Sequence, residues 1–225
     1  MISETAGKFH ASQSSGEVSS ILVLPDNPIC LFLLAHGAGA PMNHSHMKNI
    51  AFSLAEENIA TFRFNFPYAE NSKRGIDPRP IILKTIESAN EAAQKATPEL
   101  PMFAGGHSFG GRMTTTLVSN GGLKNIKGIG LYSFPLHPPG KNSIERADHL
   151  KSINIPMLFL SGTRDKLAEI NLLKGVCNEL RDITTLHLID TADHSFKILK
   201  RKRTNAENVY SEAAFNVRKW VISIL

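Results

Sequence analysis

Two cysteines in 225 residues, Cys30 and Cys177, are too few to staple a small secreted fold. Each lies in an apolar run and reads as a buried thiol, and neither is placed for catalysis. Long hydrophobic stretches are also missing: nothing approaches the roughly 20 apolar residues that span a bilayer. The first residues, Met1-Ile2-Ser3-Glu4, lack the basic and apolar regions of a signal peptide, so the expectation is a cytoplasmic chain without a membrane partner. There is no internal repeat and no low-complexity segment, which excludes solenoids and arrays. Acidic residues are outnumbered 20 to 25, leaving a net charge of +5. The one compact basic run, Lys200-Arg201-Lys202-Arg203, has no interleaved aromatics; it reads as a solvated loop, and no nucleic-acid partner is expected.

What the chain does have is enough apolar content, 42%, to bury a core as one domain over residues 1–225. Strand-like and helix-like segments alternate, which predicts an α/β fold: a mostly parallel sheet with helices on both faces. Residues 9–11 and 18–24, across Ser14-Ser15-Gly16, predict an antiparallel entry hairpin. Further strands are predicted at 31–35, 59–64, 102–105, 126–132, 155–161 and 184–189. Met47, Ile50, Ala51, Leu54 and Ala55 recur at helical spacing, helices are predicted over 81–96 and 111–120, and Ala213, Val217, Trp220 and Ile224 mark a last helix with Trp220 as a core anchor. Residues 67–80, polar and proline-rich, read as an irregular loop. So does 135–140, and only about two dozen residues separate strand 126–132 from the next, too few for an inserted lid domain.

Chemistry concentrates at strand ends. Gly106-His107-Ser108-Phe109-Gly110 fits the G-x-S-x-G elbow, between a strand and a helix, where the turn exposes the serine hydroxyl. Asp165 follows the strand 155–161 in Gly162-Thr163-Arg164-Asp165, and His194 follows the strand 184–189. The order serine, acid, histidine is that of one triad family. A serine hydroxyl is a poor nucleophile until a base takes its proton; imidazole, which titrates near neutrality, can do so, and a carboxylate would fix its tautomer. Asp193 is the alternative acid. The oxyanion of the tetrahedral intermediate requires backbone donors: Phe109 N–H follows the nucleophile, and Ala38 N–H in the glycine-rich turn His36-Gly37-Ala38-Gly39 is the second candidate. Arg63 and His137, each at or after a strand end, are candidate pocket residues for an anionic or polar acyl group; their other readings are a structural ion pair and an ordinary loop histidine. His44-Ser45-His46 reads as a helix start, and no metal or other cofactor is expected.

These motifs, with Arg63-Phe64-Asn65-Phe66-Pro67 and Pro135-Leu136-His137-Pro138-Pro139-Gly140, resemble the α/β-hydrolase superfamily over nearly the whole chain, and within it the small lidless group around dienelactone hydrolase. Dienelactone hydrolase proper uses a cysteine nucleophile where this chain has Ser108, so that specific reaction does not carry over. The resemblance implies hydrolysis of a small carboxylic ester through an acyl-enzyme. Thioesters and amides share the same attack, and a non-catalytic scaffold on a retained fold is the reading from a different class. The substrate and the oligomeric state are not legible in the sequence.

Overall fold

The computed structural model describes all residues, Met1–Leu225. Eight strands form one sheet: β1 (Ile2–Ser12), β2 (Gly16–Pro25), β3 (Cys30–Ala35), β4 (Ile59–Phe64), β5 (Met102–His107), β6 (Ile126–Tyr132), β7 (Met157–Gly162) and β8 (Thr184–Ile189). Their spatial order is β1-β2-β4-β3-β5-β6-β7-β8. The β1–β2 hairpin and the β2–β4 pair are antiparallel, and every later pair is parallel. Six helices surround the sheet: α1 (Ser45–Glu56), α2 (Pro67–Glu70), α3 (Arg79–Ala96), α4 (Phe109–Ser119), α5 (Ile170–Glu179) and α6 (Val209–Ile222), with a 3₁₀ helix at Glu145–Ser152.

Both faces are covered, and strand alternation divides the core accordingly. In β3, Leu31, Leu33 and Ala35 join the layer under α3, α4 and α5, while Cys30, Phe32 and Leu34 face α1 and α6. This is why β3 reads as an unbroken apolar run: no residue of it meets water. Trp220 anchors α6 against Phe103, ring centroids 5.4 Å apart. Cys30 and Cys177 are free and buried, and burial pushes both thiols up to about 12.

Three expectations need correction. Segment 67–80 is not wholly irregular: Pro67 starts α2 and Pro80 lies in the first turn of α3, where a missing N–H removes no helical bond. The basic run is not all solvated, since the guanidinium of Arg203 is buried, pairs with Glu212 and donates to the Asp190 carbonyl at 2.8 Å. The antiparallel β1 extends back to Ile2.

Because β3 through β8 run parallel, their carboxyl ends meet along one edge. Chain direction reverses there between β3 and β5: from β3 the chain moves outward to β4, crosses back to β5, and then proceeds to β6, β7 and β8. This switch point between β3 and β5 is the usual ligand position in open α/β sheets.

Candidate active site

Ser108 occupies the turn between β5 and α4 with φ 52° and ψ −114°, a conformation costly for a residue with a Cβ. Two bonds hold it there: its N–H donates to the Tyr132 carbonyl at 2.8 Å, and its carbonyl accepts from Arg112 N–H at 3.0 Å. The flanking glycines make the turn feasible. A Cβ on Gly106 would lie 2.1 Å from the Ala35 carbonyl oxygen, and one on Gly110 would lie 2.5 Å from the same atom. The end of β3 thus presses directly on the elbow, bringing the loop after β3 alongside the serine.

His194 and Asp165 arrive from the β8 and β7 loops. Ser108 Oγ lies 2.8 Å from His194 Nε2, and His194 Nδ1 lies 2.8 Å from Asp165 Oδ2 and 3.0 Å from Oδ1. With Nδ1–H donating to the carboxylate, Nε2 is left as acceptor for the serine O–H. The Asp165 carboxyl is fully buried and takes a further bond from Leu167 N–H at 2.8 Å. Asp193, the alternative acid, is occupied elsewhere: its Oδ1 accepts from the N–H groups of Ser195 and Lys197 in the turn that presents His194.

Neither Phe109 N–H nor Ala38 N–H has an acceptor within the chain. The second of these is aimed by a side chain that sequence reasoning overlooked. The Gly37 carbonyl and the Ala38 N–H belong to one planar peptide unit, and His36 Nδ1 holds that carbonyl at 2.7 Å. His36 Nε2 in turn accepts from Phe66 N–H at 3.1 Å. Donor at Nδ1 and acceptor at Nε2 define one neutral tautomer, and burial lowers the His36 pKa to about 4 despite the Gly37 bond. Tyr68 O–H donates to the Ala38 carbonyl at 3.0 Å, fixing the next peptide. His36 also packs edge-on against Phe66, which meets Phe109 at 5.9 Å, so the β3 loop and the start of α4 share one aromatic layer.

His107 was likewise overlooked. It is buried within the elbow, and its Nε2 holds the His194 carbonyl at 3.0 Å, tying the elbow to the histidine loop. The acid and histidine loops are laced by Arg164 N–H to the Ala192 carbonyl (2.9 Å), Thr191 N–H to Thr163 Oγ1 (2.8 Å) and the Arg164 guanidinium to the Thr191 carbonyl (3.0 Å). The only signal for these residues was adjacency: each is within two or three positions of a residue chosen on chemical grounds.

Arg63 and His137 do not join this group. Arg63 is fully buried at the β2–β4 side, paired with Glu4 at 2.7 Å and donating to the Met42 carbonyl at 3.2 Å. His137 accepts from Glu169 N–H at 3.2 Å and donates to the Pro138 carbonyl at 3.0 Å, which uses both ring nitrogens. His137 is spent on holding its own segment, and Arg63 is committed to Glu4 and Met42, with only its Nε left without a partner. His44 caps α1, its Nδ1 accepting from His46 N–H at 3.2 Å. No helix is long and apolar enough to cross a membrane.

Comparison with known proteins agrees with this architecture. A dienelactone hydrolase from Anabaena variabilis superimposes with a TM-score of 0.78 at 16% identity, covering 100% of this chain and 99% of that one. A lidless α/β serine hydrolase from Xanthomonas campestris gives 0.72 at 17% identity, covering 96% and 94%. An esterase domain from a Rhodothermus marinus protein gives 0.71 at 16% identity, covering 97% and 98%. At such identities the likeness is one of fold. The family model described as an alpha/beta hydrolase domain matches residues 28–222, from just before β3 to the end of α6, and the chain belongs to that family.

Proposed function

We propose that the protein is a serine hydrolase that cleaves a small carboxylic ester through an acyl-enzyme. The observation that carries this reading is the continuous path from Ser108 Oγ through His194 to Asp165, with both links at 2.8 Å, beside two N–H groups without acceptors. Ser108 Oγ attacks the ester carbonyl as His194 Nε2 takes its proton. The oxyanion is received by Phe109 N–H and Ala38 N–H, donors that are fixed before charge develops and so require no reorganisation. Asp165 stabilises the imidazolium without taking its proton. As the intermediate collapses, His194 returns the proton to the departing alcohol. Water then attacks the acyl-serine by the same route and releases the acid.

Labelling with a fluorophosphonate, followed by turnover of a panel of short esters and thioesters, tests this directly. Ser108→Ala is expected to abolish labelling and to reduce kcat by at least about 10⁴-fold, with the fold intact. His194→Ala should be nearly as damaging, and Asp165→Asn should cost about 10³- to 10⁴-fold through loss of the productive tautomer. Turnover retained in Ser108→Ala would refute the mechanism.

A further inference from the structure

Arg112 is four residues beyond Ser108 on α4, one helical turn along the same face. Its carbonyl accepts from the hydroxyls of Thr115 and Thr116, both at 2.8 Å. Its guanidinium donates no hydrogen bond to any protein atom, and its Nε is buried without a partner. The group lies 6.0 Å from the ring of Phe109, the residue whose N–H faces the oxyanion position. The arginines that do form ion pairs are Arg63, Arg181, Arg203 and Arg218. Arg112 is not among them.

Two more unpaired arginines stand at the same corner. Arg79 is the first residue of α3, and Arg146 is in the 3₁₀ helix Glu145–Ser152. Each stands near enough for its charge to act on Arg112, one helical turn beyond Ser108. The 3₁₀ helix is fixed against α4 by His149, whose Nε2 meets Thr115 Oγ1 at 2.8 Å. Burial disfavours the charged form of Arg112, and the positive charges of Arg146 and Arg79 disfavour it further. Asp148, exposed on the same 3₁₀ helix, acts on His149 and pairs with none of the three arginines. Like charges gathered around a half-buried guanidinium oppose folding unless something else supplies the negative charge.

We propose that Arg112, supported by Arg79 and Arg146, receives a carboxylate on the substrate, so that the protein's esters are anionic ones with a charge remote from the scissile carbonyl. This deepens the ester-hydrolase reading and rests on it. The guanidinium fork, all its donors free, matches a planar carboxylate. A substrate bound this way would set its reactive carbonyl toward Ser108 from the α3 and α4 side, opposite the histidine loop.

The test compares matched esters by pH-stat titration: monomethyl glutarate against methyl pentanoate, with the charge on the acyl side, and 3-acetoxypropanoate against propyl acetate, with the charge on the alcohol side. One charged ester should exceed its neutral partner in kcat/KM by about tenfold or more, the usual worth of a charge-assisted pair. The ratio should fall toward one in Arg112→Gln, recover in part in Arg112→Lys, and shrink with added salt. Arg181→Gln, remote and exposed, should leave it unchanged. Should Arg112→Gln fail to fold, Arg79→Gln and Arg146→Gln must each lower the ratio. If both charged esters are hydrolysed no faster than their neutral partners, or the ratio survives loss of the arginines, this proposal is overturned while Ser108-dependent turnover of the neutral esters leaves the hydrolase reading standing. Absence of any Ser108-dependent turnover would remove both.

Discussion

At the scale of single residues, the groups proposed to do the chemistry and those proposed to aim them differ in how visible they are. Ser108, Asp165 and His194 announce themselves through spacing and order, because the elbow motif and two strand ends restrict where they can fall. His36 and His107 have no such signal. A buried histidine adjacent to a glycine is ordinary in sequence, and only the distances reveal that His36 holds the Gly37 carbonyl and His107 the His194 carbonyl. His36→Leu should therefore leave both candidate N–H donors in the chain but release the peptide that carries one of them. Removing such a donor costs about 10²- to 10³-fold; misaiming it should cost about 10- to 100-fold in kcat, with KM little changed. Separate measurement of kcat and KM checks this, and a KM effect with kcat preserved would assign His36 to binding instead.

At the scale of elements, β4, β6 and β8 have the bounds that the sequence predicts. β1 is longer than its pattern because seven of its first residues are exposed; backbone pairing with β2, not burial, defines it, and pairing leaves no periodic trace. The 3₁₀ helix is equally silent, being polar and irregular in composition. Arg203 escaped because a run of four basic residues looks uniform, although one of them reaches Glu212 across the start of α6. The elbow was legible through its glycines, and one of them contrasts with a helical glycine in the outcome of the same substitution. Gly106→Ala would put a methyl 2.1 Å from a main-chain oxygen of β3, forcing two central strands apart; a loss of at least about 3 kcal/mol is expected, or failure to fold. Gly175, inside α5, has nothing within 4 Å of its would-be Cβ. There Ala should stabilise by about 0.5–1 kcal/mol through reduced unfolded-state freedom and better helix propensity. Urea midpoints of the two variants provide the measurement, and a Gly106→Ala protein as stable as the parent would contradict the close packing of β3 on the elbow.

At the scale of the whole molecule, the segment between β6 and β7, where a lid domain would be inserted, holds only the 3₁₀ helix Glu145–Ser152. Concavities of about 230 to about 530 Å³ lie beside β8 and α6 and along residues 198–209, and none is lined by Ser108, Asp165 or His194. A methylene contributes about 0.8 kcal/mol only when it leaves water, so kcat/KM for neutral esters should level off or fall beyond about six acyl carbons; a steady rise to long chains would mean that the loops close over the substrate. The interior behind the site carries a second whole-molecule consequence. Three neutral imidazoles link α1, the elbow and the β3 loop: His46, bound to Tyr210 at 2.9 Å, His107, 4.4 Å from His46 between ring centroids, and His36. Burial is the main cause that lowers them, to about 3 for His46 and about 4 for His107 and His36. Unfolded, each would titrate near about 6.5. The unfolded chain thus binds more protons in this window, and the stability these groups contribute is complete above about pH 6.5 and is lost as pH falls toward their folded values. Each contributes a slope approaching about 1.4 kcal/mol per pH unit near pH 5. Glu70, whose carboxyl is held low by bonds from Asn65 and Ser19 against the effect of burial, adds its loss only below the normal carboxylate range. Urea midpoints measured from pH 7.5 down to 5 should therefore fall steeply and without a plateau, and the fall should be shallower in His107→Gln, which removes one of the three protons. Midpoints constant across that range would show that the imidazoles are charged, or hydrated, in the folded protein.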